Sequence, residues 1–346
     1  MLPSRIVTGR RLASLASTCT LLLAGALRLP AQSQSGSAQS SGSSFEVPAW
    51  AFPVVVPGTT VPTVPNDSVT PQHVPNSTAE FTQTRARDRF DVVDWHPDMH
   101  KPAPDVVIHG RKPGMIACGL CHLPDGMGRP ENAMLAGLRD DYIVSQVEEM
   151  RARTRGSASP VPFPSTVGMR LIADSVSHAE LVAAAKYFSK VRARPMTRVI
   201  EADSLPRTVA MNGLYVKTTE GGTEPLGRRI VEFPVELRRH ELRDSRAEYV
   251  AYVPRGSVAR GKALATSDAL PGVKGGCQSC HGSRLRGKGA VPPLAGRYPS
   301  YLLRQLLGFR TGARSTPTSA PMNAVAGTLS LDDMMAASAY AGSLEP

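Results

Sequence analysis

The chain has 346 residues, with 40 Lys+Arg against 29 Asp+Glu, 41% hydrophobic and only 5% aromatic residues. That length allows two or three domains, the apolar fraction excludes wholesale disorder, and 30 Pro with 30 Gly call for many loops. A net charge of +11 invites a phosphate-binding reading, but no nucleic-acid motif, Walker-A loop, Rossmann glycine signature or Ser-His-Asp arrangement accompanies it, so no nucleic-acid partner is expected.

Residues 1–31 carry Arg5, Arg10, Arg11 and Arg28, no acidic residue, and an apolar run over 12–27 that ends before Pro30-Ala31. This pattern predicts a signal peptide, cleaved near Ala31, that exports the chain to the periplasm. The alternative, an uncleaved membrane anchor, is disfavoured because spanning a bilayer takes about 20 apolar residues. Arg10-Arg11 alone is weak support for a twin-arginine signal, and Cys19 precedes most of the apolar run, the wrong side for a lipoprotein cysteine. Cleavage would leave a net charge of +7 and four cysteines. Residues 32–90 follow, rich in Ser, Thr and Val, with prolines at 48, 53, 57, 62, 65, 71 and 75. They predict an extended linker or wrapping arm, with Trp50 and Phe52 as anchors.

Cys118-Gly119-Leu120-Cys121-His122 comes next, and the same pattern returns as Cys277-Gln278-Ser279-Cys280-His281. C-x-x-C-H is the attachment signature of c-type haem. Two thiols one helical turn apart add to the two vinyl groups, and the following His lies under the macrocycle as proximal iron ligand. A zinc ribbon would place its C-x-x-C pairs about 15–20 residues apart, whereas these begin 159 residues apart. Redox disulfides would not need a His after each pair. Two covalently attached haems c, each with one iron, are therefore expected on Cys118, Cys121, His122 and on Cys277, Cys280, His281.

The first haem domain is placed at 91–195, with helices expected at Asp140–Ala152 and Ser177–Val191, the latter apolar at Leu181, Ala184, Ala185 and Phe188. Asp94–His100 is expected to wrap this domain. Residues 196–256 contain the β-favouring runs Leu214–Val216, Arg229–Phe233 and Tyr249–Val253, with Glu220-Gly221-Gly222-Thr223 as a hairpin turn. They predict a small β-rich insertion, either a cover between the haem domains or a docking surface for a redox partner. The second haem domain is placed at 257–346, with helices near Ser257–Ala265, Ser300–Phe309 and Ser330–Ser343. A covalently held haem gives so small a domain an apolar plate to pack against.

An internal repeat ties the two domains together. Leu-Ala-Gly occurs at 135–137 and 294–296, and Tyr142 and Gln146 match Tyr301 and Gln305 at equal offsets from the motifs. Met169 and Met322 precede matching segments, with Tyr187 and Tyr340 each 18 residues further on. On these residues the chain resembles the class I cytochromes c, and its repeat is similar to that of the bacterial tandem dihaem branch. The resemblance implies a mainly α fold of two cytochrome c-like haem domains in tandem, a β-rich insertion between them and an extended N-terminal arm. It further implies Met169 and Met322 as sixth iron ligands, 47 and 41 residues after His122 and His281, each carried by a loop over the distal face. Soft thioether ligands raise the reduction potential. In the family a backbone carbonyl holds the proximal histidine. Pro292 matches for His281, and Ala133 stands at that register for His122. Gly110 lies only 8 residues before Cys118, whereas Gly261 lies 16 before Cys277, so the first domain is expected to have a truncated first helix. The remaining histidines, and methionines such as Met334 and Met335, are read as non-ligands.

Saturated His/Met iron leaves no open coordination site, so the expected role is a periplasmic carrier of single electrons rather than an enzyme. Its donor would be a dehydrogenase or quinol-linked enzyme and its acceptor a terminal oxidase or reductase. The rivals are a dihaem peroxidase-like enzyme and a cytochrome subunit of a membrane-associated dehydrogenase or oxidase complex. A thiosulfate-oxidising enzyme with a Cys iron ligand is disfavoured, since all four remaining cysteines lie in the motifs. Propionates from two haems would bring the net charge to about +3.

Overall fold

Prolines, helix caps and two-residue turns partition residues 45–346, the part that the computed structural model describes; the expected signal peptide and the start of the arm lie outside the described residues. Residues 45–104 hold little regular structure, only a 3-10 turn at Ala49–Ala51, another at Pro97–Met99 and helix α1 (Gln83–Ala86), capped by the Thr82 side chain. Side chains pin the arm down. Phe52 is buried edge-on against Phe163 at 5.4 Å and shares a core with Leu303 and Leu307. The Tyr215 hydroxyl donates to the Trp50 carbonyl at 2.9 Å. The segment expected to wrap the first haem domain is held mainly by the insertion instead. Trp95 Nε1 donates to the Leu242 carbonyl at 2.7 Å, and His96 Nε2 lies 3.0 Å from Asp244 Oδ1. His100 does reach the first domain, 2.8 Å from the Tyr187 hydroxyl.

The first repeat comprises α2 (Asp105–Ile108), α3 (Gly119–His122), α4 (Asp140–Arg151), α5 (Pro164–Ser175) and α6 (His178–Phe188). Pro164 starts α5 where a missing N–H costs nothing. Ser177 and Glu180 form a capping box that fixes the start of α6. The helix buries Leu181, Ala184, Ala185 and Phe188 and stops three residues short of the expected Val191, where the Phe188 carbonyl turns to accept from Gly137 N–H at 3.1 Å.

The insertion contains β1 (Thr197–Glu201), β2 (Ser204–Pro206), β3 (Thr208–Met211), β4 (Leu214–Lys217), β5 (Thr223–Pro225), β6 (Val231–Pro234), α7 (Leu237–Glu241) and β7 (Tyr249–Val253). Its main sheet has the order β1-β7-β6, with β1 parallel to β7 and β6 antiparallel to it. The two ends of the insertion thus run side by side. β2 pairs with β5 and β3 with β4. The expected hairpin turn at Glu220–Thr223 is not one: it links β4 to β5, which pair with different strands. The tight hairpin lies at Asn212-Gly213 between β3 and β4, where both residues have positive φ, 47° and 97°, as a two-residue turn of the primed type demands.

The second repeat comprises α8 (Ser257–Thr266), α9 (Gln278–His281), α10 (Pro299–Arg310), α11 (Ala320–Thr328) and α12 (Leu331–Gly342), the last begun by a Ser330/Asp333 capping box. α8 lies on α12 so closely that a Cβ on Gly261 would collide with the Ala336 carbonyl. In the first repeat the single turn α2 packs on α6 in the corresponding place. Among the described residues no helix is long and apolar enough to cross a membrane.

Candidate haem sites

Each C-x-x-C-H string folds as one helical turn that ends on its histidine. His122 N–H donates to the Cys118 carbonyl at 3.0 Å and His281 N–H to the Cys277 carbonyl at 2.9 Å. The next residue, Leu123 or Gly282, has positive φ (62° and 78°) and breaks the helix. The chain then returns beneath the imidazole. His122 Nδ1 is 2.8 Å from the Ala133 carbonyl, and His281 Nδ1 is 2.8 Å from the Pro292 carbonyl. A carbonyl only accepts, so Nδ1 carries the proton and Nε2 keeps its lone pair, the arrangement a metal-binding imidazole needs. Burial lowers the pKa of both rings despite these bonds, which favours the neutral form.

The four thiols are free. Burial pushes Cys118 up to about 12 and also raises Cys121 and Cys277. Redox-active C-x-x-C pairs work through a lowered thiol pKa, and Cys118, Cys121 and Cys277 are shifted the opposite way. Among the described residues no group of three or more His, Cys, Asp or Glu side chains comes together to hold a metal ion. One imidazole nitrogen beside two thiols on a single turn fits a macrocycle that brings its own donors, and the residues present therefore fit haem.

Both methionines sit in helices, not in the loops expected of them. Met169 is half-buried on α5, packed on the same apolar cluster as Cys118 and Cys121. Met322 is half-buried in the first turn of α11 and is not among the residues packed on the cluster that holds Cys277. Of the other histidines, His178 is exposed at the start of α6, His73 and His109 are exposed, and His96 and His240 are buried against Asp244 and Arg129.

The repeat is preserved bond by bond at an offset of 159. Gly128 N–H donates to the His122 carbonyl and Gly287 N–H to the His281 carbonyl; Leu135 donates to Gly126 as Leu294 does to Leu285. One feature that was not anticipated follows the same offset. Arg155 Nη1 and Arg314 Nη2 both donate to Gln146 Oε1 at 2.7 Å, while Arg314 Nη1 and Arg155 Nη2 donate to Gln305 Oε1 at 3.0 and 3.3 Å. Arg155 Nη2 also reaches the Tyr301 hydroxyl at 3.2 Å. Two cations, 7% and 6% exposed, thus meet at the junction of the repeats. Among the described residues neither pairs with a carboxylate, and Arg314 Nε is buried without a partner. Burial, with Arg155 nearby, lowers the Arg314 pKa. Such a pair calls for anions. The signal in the sequence was an Arg 37 residues after the first Cys of each motif.

No family model matches the chain. Over 227 residues, 64% of this chain and 82% of the relative, it is 26% identical to cytochrome c4 of Azotobacter vinelandii. It is likewise 26% identical, over 67% of this chain and 80% of the relative, to the thiosulfate dehydrogenase electron acceptor of Stutzerimonas stutzeri (strain A1501). Among solved structures, thiosulfate dehydrogenase (TsdBA) from Marichromatium purpuratum aligns with a TM-score of 0.46 and 28% identity over 67% of this chain; the chain spans 37% of that protein. The curated relatives are named as cytochromes c and as an acceptor of electrons.

Proposed function

We propose that the chain is a two-haem c-type cytochrome that carries single electrons in the periplasm. One observation carries the reading: at one register in two repeats, a C-x-x-C turn ends on a histidine whose Nδ1 is fixed by a carbonyl eleven residues later. When bound, haem supplies a reversible one-electron iron couple. The chain's own groups do the rest. Cys118, Cys121, Cys277 and Cys280 would anchor the two macrocycles, His122 and His281 would offer Nε2 to iron, and Met169 and Met322 would supply thioether ligands. Arg155, Arg314, Tyr142, Tyr301 and the two glutamines would receive haem propionates, which supply the anions that the buried guanidinium pair lacks.

If His122 with Met169, and His281 with Met322, held the two irons, no coordination site would be left for substrate. This favours a carrier over a peroxidase-like enzyme. The relative named as the electron acceptor of a thiosulfate dehydrogenase supports a dehydrogenase-linked donor, and service as a subunit of such a complex is the second reading. A pyridine haemochrome assay on protein matured in a bacterial periplasm should find about two haems c per chain. One haem or none would refute the assignment.

A further inference from the structure

Within Asp94–His100, the segment that the insertion holds, His100 turns toward the first repeat, and its side chain is only 4% exposed. Nδ1 lies 2.8 Å from the Tyr187 hydroxyl and 2.9 Å from the Lys101 carbonyl, and Nε2 lies 3.2 Å from Asp94 Oδ2. The Tyr187 hydroxyl donates to the Pro124 carbonyl at 2.7 Å, so it faces His100 as an acceptor. The Lys101 carbonyl only accepts, and so does an ionised Asp94. Three acceptors around two ring nitrogens call for a proton on both, and the imidazolium is the form that satisfies them all. Loss of the second proton would leave the Nε2 lone pair against a carboxylate.

Burial opposes this charge, but the Asp94 hydrogen bond, the Lys101 carbonyl and the negative charges of Asp94 and Asp125 outweigh it, and the pKa rises above its ordinary 6.5. The titratable groups that face the ring are Asp94 from its own segment, Tyr187 from α6 and Asp125 from the loop after the first motif, itself paired with Arg194 at 2.6 Å. Burial, with both aspartates nearby, holds the Tyr187 phenol well above its ordinary 10, so it stays neutral. The same contacts tie His100 to the first haem site. Tyr187 packs on the cluster that holds Cys118 and Cys121, and the Pro124 carbonyl that accepts its hydrogen bond comes two residues after His122. The second repeat has no counterpart. Residues 257–346 contain no histidine besides His281, and Ser283 stands 159 residues after Pro124.

We propose that His100, paired with Asp94, is a redox-linked proton site of the first haem: it holds its proton more tightly when that iron is reduced, so that an electron entering the first haem brings a proton with it and one entering the second does not. The inference rests on the two-haem reading above. One electron from the carrier's donor converts ferric iron to ferrous, up to one proton from water enters at His100 Nε2, and both leave on reoxidation. A cation close to the haem opposes the charge of ferric iron and is favoured once the electron has arrived. Linkage makes the effect reciprocal. A protonated His100 favours the reduced haem, so the potential of that haem falls as pH rises above 6.5 through the titration of the pair. His100 acts through Tyr187 and is a positioning residue, not a ligand.

The test uses the holoprotein, with two haems per chain established beforehand by pyridine haemochrome, so that a failed haem count refutes the two-haem reading without bearing on His100. Spectroelectrochemical titration at a series of pH values should resolve one haem whose potential falls between about pH 6.5 and about pH 9 and one whose potential stays level. On reduction in weakly buffered solution with an indicator dye, the wild-type protein should take up protons, its site binding them about fivefold or more tightly than before. His100→Gln, which keeps a polar group, should level the sloping potential and abolish the uptake. Asp94→Asn, which removes the carboxylate, should move the slope to lower pH. His109→Gln, at an exposed histidine of the same repeat paired with Asp91 at 3.1 Å, should leave both readouts as they are. Two level potentials without proton uptake in the wild-type protein would overturn the proposal, whatever the variants do. So would a slope that persists unaltered in His100→Gln, since that result assigns the proton to a haem propionate, or one that vanishes in His109→Gln.

Discussion

At the scale of single residues, the sites rest on which atom of a side chain is left over. His122 and His281 each have one nitrogen committed to a carbonyl at 2.8 Å, so only Nε2 is free. The methionines carry no such constraint, and their assignment is separable from the rest. Met322→Ala or Met169→Ala should leave two haems per chain, because attachment depends on the cysteines. Each should remove about half of the far-red thioether–iron absorbance of the oxidised protein and lower the reduction potential of one haem. An unchanged far-red band in either variant would mean that another group ligates that iron. The motifs are legible in the sequence because each is one contiguous string that folds as a single helical turn. Arg155 and Arg314 show there only as a shared offset of 37 residues from the motifs, because Arg155 reaches Gln305 and Arg314 reaches Gln146 across the junction of the repeats and only the fold brings the two glutamines together.

At the scale of elements, local rules locate most helices. The helix expected at Asp140–Ala152 spans Asp140–Arg151, and the one expected at Ser330–Ser343 spans Leu331–Gly342, because charge at the N-terminus or a capping box marks where each begins. The insertion was harder to read. β1 is five residues long and pairs with β7 about fifty residues later, so neither length nor periodicity announces it. The Asn212-Gly213 turn was legible by its dipeptide, but the more conspicuous glycine pair at 221–222 drew the hairpin to the wrong place. Close packing of α8 on α12 gives a sharp prediction. Gly261→Ala would drive a methyl into the Ala336 carbonyl, and overpacking of this kind costs about 3 kcal/mol. Thermal unfolding of the holoprotein, followed at the Soret band, should show a lowered midpoint. An unaltered midpoint would mean that the two helices separate at little cost.

At the scale of the whole molecule, the insertion joins the repeats through buried polar groups as well as apolar ones. His240 on α7 is the centre of that joint. Its Nδ1 lies 3.1 Å from the Tyr249 hydroxyl, and its Nε2 lies 3.3 Å from Arg129, 3.8 Å from Glu131 and 3.9 Å from Glu241. Burial first, and then the Arg129 charge, push its pKa down to about 3 from an ordinary value of 6.5, with Glu241 opposing. The sign of the linkage follows. Between pH 6.5 and 3 the unfolded chain binds a proton at this position and the folded chain does not, so the contribution to stability is fully present above 6.5 and drains away as pH falls toward 3. The first repeat, the insertion and, through the Tyr249–Tyr298 contact at 5.5 Å, the second repeat meet around this ring. Acid should therefore loosen the assembly at its joint. In denaturant titrations of the holoprotein at pH 7 and pH 5, stability should fall at the lower pH by on the order of 2 kcal/mol from this group. His240→Gln, which keeps a polar group but cannot titrate, should be less stable at pH 7 yet lose distinctly less on acidification. An equal loss in both proteins would place the acid-sensitive group elsewhere.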